Sequence, residues 1–124
     1  MTYCEFKFLL ESVMTGDKTI PDDNLLIPLV NQLITKLALK AIPLTLVTKD
    51  MNKDFLSSID GEYFLRKPVK IINNISLIDI DDKLHLVLVY DVASFISHNV
   101  NNKMYKSFYD EEYNNYIWDR YKKQ

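Results

Sequence analysis

Asp79, Asp81 and Asp82 are the nearest thing in the chain to a metal-binding or acid–base cluster. An EF-hand-type calcium loop would also need a glycine within it and a glutamate at its twelfth position, and neither follows here. Short carboxylates in such a run have another use. They accept the free N–H groups at a helix start and compensate its positive end. Asp79, Asp81 and Asp82 are therefore expected to cap a helix. His85 and His98 stand 13 residues apart on that same predicted helix. At ~1.5 Å per residue they are about 20 Å apart and cannot share a metal. Cys4 is the single cysteine, so one chain can build neither a disulfide nor a cysteine zinc site. With no base evident beside it, Cys4 is expected to be a buried, inert thiol. No two catalytic groups can be paired, and no cofactor or metal is expected.

Two groups of residues suit binding better than catalysis. Tyr63 and Phe64 adjoin Arg66, Lys67 and Lys70, and single-stranded nucleic acid stacks on such aromatic–basic clusters. The competing expectation, favoured by an acidic pI of about 5.6, is a hairpin with its aromatic side packed on helices and its charges in water. Tyr105, Tyr109, Tyr113 and Tyr116 recur at three- and four-residue spacing. Tyrosine packs and hydrogen-bonds at once, which suits an oligomer interface, and it suits the wet edge of a core equally well.

Elements must position these residues. The apolar spacing predicts helices over about 3–14, 22–42, 81–98 and 101–122. Gly16 is placed to end the first. Pro21, Asp22 and Asp23 suit the start of the second, within which Pro28 demands a kink or a late start. The stretch LHLVLVYDV also reads as a buried strand. The run from Asp81 to Ser97 is long for a strand, and Lys83, Val87, Asp91, Ser94 and His98 fall on one helical stripe, so a mostly buried helix is expected. Between the second and third helices a β excursion is expected over about 57–75. It turns at Asp60-Gly61, with strands in EYFLR and VKII. Pro68 cannot sit in a central ladder, so the sheet is expected to be short or at an edge. The fold class is thus mainly α: a four-helix bundle with a small β-hairpin or extended insertion, in a single domain over 1–124.

Bulk properties restrict the rest. A formal net charge of −2 argues against a chain built to coat nucleic acid. With only two glycines, no phosphate-cradling GxGxxG or GxxxxGK[ST] motif exists. No apolar run approaches the ~18 residues of a membrane span. Glu5 and Glu11, with no basic region before them, argue against a signal peptide. Abundant Lys, Ile, Asn and Tyr fit a low-GC bacterial or viral genome.

The order of elements, with EYFLRKPVKI followed by IDIDDKLHLVLVYDVASFIS, resembles the small head-to-tail connector (adaptor) proteins of tailed bacteriophages. It looks most like the neck ring proteins of crAss-like phages. The matching residues are Tyr63, Arg66, Pro68, Asp81, Asp82, Leu84, Tyr90, Ala93 and Ser94, then Tyr105, Tyr109 and Glu112 in the closing helix. The likeness spans roughly 22–121. Leu86 and Val87 depart from it where a small residue is usual. It implies a non-enzymatic virion protein, made in the host cytoplasm. Copies would form a ring in the neck, twelve where it sits directly on the portal. Portal, neck and tail proteins would be its partners, and DNA would pass through without sequence-specific binding. Tyr63, Phe64, Arg66, Lys67 and the four tyrosines would then contribute to heterologous subunit faces. The alternative is a small regulatory or single-stranded nucleic-acid-binding module.

Overall fold

The computed structural model describes residues 1–15, 20–50, 54–97 and 101–122, with side chains through Arg120. Four helices form it, with a small three-stranded antiparallel sheet between the second and third. Helix α1 spans Tyr3–Val13. Thr2 Oγ1 accepts the Glu5 N–H while Glu5 Oε1 accepts the Thr2 N–H, a reciprocal capping box. The two N–H groups at the helix start, those of Tyr3 and Cys4, donate to the carbonyls of Ser76 and Asn74. A distant segment thus satisfies donors that no helix can satisfy by itself. Gly16 lies outside the described residues, and the cap at Met14 donates to the Leu10 carbonyl.

Helix α2 spans Asp23–Ala41, and Asp22 Oδ1 caps it through the Asn24 N–H. It runs continuously through Pro28. The carbonyl that Pro28 leaves unbonded is that of Asn24, which is exposed, so water can replace the lost partner. The helix stops at Ile42, whose φ of 48° is left-handed, and Pro43 prevents continuation.

A 3-10 turn at Leu44–Leu46 leads into β1, Val47–Thr48. Strands β2, Phe55–Ser58, and β3, Phe64–Arg66, form a hairpin, and β3 lies between the other two. The hairpin loop is held by Asp60, whose carboxylate accepts the N–H groups of Glu62 and Tyr63. Leu46 and Leu65 bury against Ala38 to form a small satellite core on the C-terminal half of α2.

The strand expected over 69–72 is absent. The Val69 N–H donates to Asp79, and both backbone groups of Ile71 are held by Asn31. Pro68 has no N–H to offer a ladder. Side chains take the bonds that a neighbouring strand would have made.

A 3-10 turn at Asp82–Leu84 precedes α3, His85–Ile96, and α4 follows as Asn101–Lys122. Regular α-helix thus begins at His85 and not at Asp81. Helix α3 packs most extensively on α4, then on α1 and α2. Enclosed on three sides, it buries Val87 and Asp91 of the stripe expected to be polar and leaves Phe95 exposed. His98, at the end of that stripe, lies outside the described residues.

Candidate functional site

Asp79 and Arg66 form the most heavily bonded polar group. The Arg66 guanidinium donates to both carboxylate oxygens, at 2.6 and 3.1 Å, and the Val69 N–H adds a third bond at 2.7 Å. Desolvation pushes the Asp79 carboxyl up, but the bonds from Arg66 and Val69 outweigh it and hold its pKa below the ordinary carboxylate value. Asp79 is therefore no helix cap. It fastens the end of the β-hairpin to the start of the following loop.

Asp81 occupies the position before the 3-10 turn, but its side chain caps nothing. Its carboxylate accepts from the Thr45 N–H and hydroxyl and from the Tyr116 hydroxyl at 3.0 Å. It ties the 3-10 turn after α2, the entrance to α3 and the C-terminal half of α4 together. Asp82 is exposed, 3.8 Å from His85 Nε2. His85 is buried, and its Nε2 lies 3.0 Å from the Ile80 carbonyl. Among the described residues no group of carboxylates, histidines and cysteines could hold a metal ion. A cleft of about 380 Å³ lies beside Asp81. Two of its polar groups are already engaged, Asp81 as above and Arg120 with the Ala41 carbonyl at 2.6 Å.

The tyrosine stripe of α4 turns inward. Tyr105, Tyr109 and Tyr116 are buried, and Tyr113 is half-buried. The Lys40 ammonium lies 4.1 Å from the Tyr113 ring centre and donates to the Tyr109 hydroxyl at 3.2 Å. The Tyr113 hydroxyl donates to the Lys40 carbonyl, and Arg120 to that of Ala41. These are carbonyls of the last turn of α2, which lack partners within their own helix. Burial first, then nearby negative charge, pushes the Tyr109 and Tyr116 phenols up to about 12. The wet-edged core describes these residues. As a docking face the stripe is already covered by the chain itself.

The aromatic–basic cluster is also divided. Phe64 is buried against Phe55, with ring centres 5.1 Å apart, and Arg66 is held by Asp79. Tyr63 is half-buried beneath the Lys49 ammonium, and Lys67 is exposed.

What remains open is an apolar surface that the sequence reading did not single out. Val69, Ile72, Ile75 and Leu77 are between 64% and 80% exposed, while Ile71 among them and Ile78 just after them are buried in the core. The Cys4 N–H bond to Asn74 sets Ile75 beside α1. There Cys4 is exposed, contrary to expectation, and Phe8 is 71% exposed one turn further along the same face. The loop carrying these residues is pinned along its length. Asp79 holds Val69, Asn31 holds Ile71, Ser76 Oγ takes the N–H groups of Ile72 and Asn73, and Asn73 Oδ1 takes those of Ile75 and Ser76. Ile78 donates to the Met1 carbonyl. Val69 and Ile72 of this surface fall within the stretch VKII, whose composition predicts a strand, while Ile75 and Leu77 follow the Asn73-Asn74 turn.

No helix among the described residues is long and apolar enough to cross a membrane. No protein family, no curated protein and no solved structure matches the chain.

Proposed function

We propose that the chain is a non-enzymatic structural subunit that works by docking to other protein chains. We take its place to be the neck ring of a tailed phage, between portal and tail. The observation that carries the docking is the pinned loop over 69–77 with its outward isoleucines, valine and leucine. Exposed apolar groups in contiguous patches mark interaction surfaces. A loop whose backbone bonds are already made loses little further freedom on binding. In a ring this face would meet a different face of the neighbouring copy. The phage assignment draws on the resemblance in element order and in the Tyr63–Pro68 and Asp81–Ser94 segments. The rival nucleic-acid reading has lost two of its residues to internal contacts, Phe64 and Arg66.

Two measurements test this proposal in its two parts. Mass spectrometry of purified virions should find this chain at a fixed ratio to the portal, and its absence from mature particles would overturn the phage assignment. Mass photometry of the purified chain with portal should show a discrete high-mass complex. Ile75→Asp should dissolve that complex, and retention of it would overturn the docking surface.

A further inference from the structure

A second cavity, of about 370 Å³, opens between α2, α3 and α4. That volume falls within the ~300–1,000 Å³ of small-molecule sites. Lys36 of α2 and Lys106 of α4 stand exposed at its rim, and Phe95 and Tyr109 contribute aromatic surface. Asp91 of α3 lines it and is only 4% exposed. One oxygen of its carboxylate, Oδ2, has no hydrogen-bond partner among the described residues. Buried polar atoms are nearly always bonded, so such an atom requires a reason. Its neighbours do not provide a partner. The Ser94 hydroxyl donates to the Asp91 backbone carbonyl at 2.7 Å, and the Asn102 amide donates to the Ser94 carbonyl. Lys40 is taken by Tyr109, and the Lys36 ammonium lies 5.3 Å from the centre of the Phe95 ring.

We infer that this cavity binds a small acidic α-amino acid, its ammonium on the Asp91 carboxylate and its carboxylates toward Lys36 and Lys106. The charges select this class. A bare cation would meet two lysines at the rim, and a bare anion would meet the Asp91 carboxylate. A molecule with one ammonium and two carboxylates offers a donor to the floor and negative charge to the rim. It carries one net negative charge, against one net positive charge from the two lysines and the aspartate. Burial pushes the Asp91 carboxyl above its ordinary pKa, against the opposing pull of Lys36 and Lys40. A ligand ammonium adds to the partial compensation that Lys36 and Lys40 provide. This site stands apart from the docking loop and does not depend on the phage assignment.

Calorimetric titration of the full chain tests it with L-glutamate, glutarate, L-lysine and guanosine monophosphate. Glutarate keeps both carboxylates and lacks the ammonium. L-Glutamate should saturate a single site, and the other three should bind at least about tenfold more weakly. Asp91→Asn should weaken L-glutamate by about tenfold or more, and Lys36→Met by severalfold. Asp91→Asn removes a buried charge that is only partly compensated, so it is expected to fold. A thermal melt of the variant at or above the wild-type midpoint verifies this. The inference is overturned if L-glutamate fails to saturate by about 10 mM. Glutarate, L-lysine or the nucleotide binding as tightly would overturn it too, as would unchanged affinity in the folded Asp91→Asn variant.

Discussion

Asp79 and Asp91 are both shielded carboxylates, and the fold treats them in opposite ways. Asp79, at the end of the docking loop, receives three N–H donors and becomes a better acid than a free aspartate. Asp91, at the centre of the helical body, has an oxygen with no donor and becomes a weaker one. The difference lies in what surrounds them. The loop is made of irregular backbone whose N–H groups and adjoining Arg66 need acceptors. Helix α3 spends its N–H groups on its own carbonyls and leaves none for Asp91. The loop therefore spends its polar side chains on its own backbone and turns Val69, Ile72, Ile75 and Leu77 outward, while the helical body encloses Asp91 among apolar side chains.

The body should carry most of the stability. Leu88 is fully buried in α3, the helix that packs on the other three. Leu88→Ala should cost about 3–4 kcal/mol, measured by chemical denaturation. A loss under about 1.5 kcal/mol would mean that the site collapses freely, and the contrast between a rigid body and a pinned loop would fail.

Removing the loop's anchor should cost less. Asp79→Ala leaves the Arg66 guanidinium and the Val69 N–H without their acceptor, and the expected loss is about 2 kcal/mol near neutral pH. The pH dependence gives the sign. A carboxylate with a depressed folded pKa stabilises the fold above its unfolded pKa and loses that contribution as pH falls through the folded value. Stability measured from neutral to acid pH should therefore decline less steeply in Asp79→Asn than in wild type. An unchanged acid limb would show that Asp79 and Arg66 are not coupled.

Asp91→Asn should act in the opposite direction. Its folded pKa is raised, so the ionised form is penalised in the folded state. The cost appears as pH rises above the unfolded value and is complete above the folded one. The variant should gain about 1 kcal/mol at neutral pH, with the gain fading toward acid. Destabilisation at neutral pH would mean that the ionised Asp91 is compensated after all.

These two carboxylates also mark the limit of what the sequence revealed. The helices were legible because their apolar residues repeat at short spacing. The Tyr stripe, the helical reading of LHLVLVYDV and the closing helix at 101–122 all follow from local periodicity. The roles of the aspartates depend on partners far along the chain. Asp79 meets Arg66, and Asp81 meets Thr45 and Tyr116. A run of acidic residues ahead of a helix looks the same whether it caps the helix or reaches away from it. Likewise VKII has the residues of a strand, but Asn31 occupies its backbone. Asp91 sat on a stripe with Lys83 and Ser94 that suggested a wet face. Only the packing of α4 beside it shows that Asp91 is buried. The capping box at Thr2 and Glu5 is legible in the sequence, since T-x-x-E before an apolar run is its signature.

The smallest stability effect belongs to the residue expected to matter most for docking. Ile75 is 80% exposed, and its side chain contributes nothing to the buried core. Ile75→Ser should change the unfolding free energy by no more than about 0.5 kcal/mol, the range of ordinary surface substitutions. Its backbone N–H bond to Asn73 does not involve the side chain and should survive. Association with a partner chain should nevertheless weaken, because the exposed isoleucine is what a partner would cover. Denaturant unfolding and mass photometry on the same sample separate the two quantities. Loss of both together would make Ile75 part of the fold. Loss of neither would leave the exposed row of the loop without the role assigned to it. Unchanged stability with lost association would divide the molecule into a body that folds and a loop that docks.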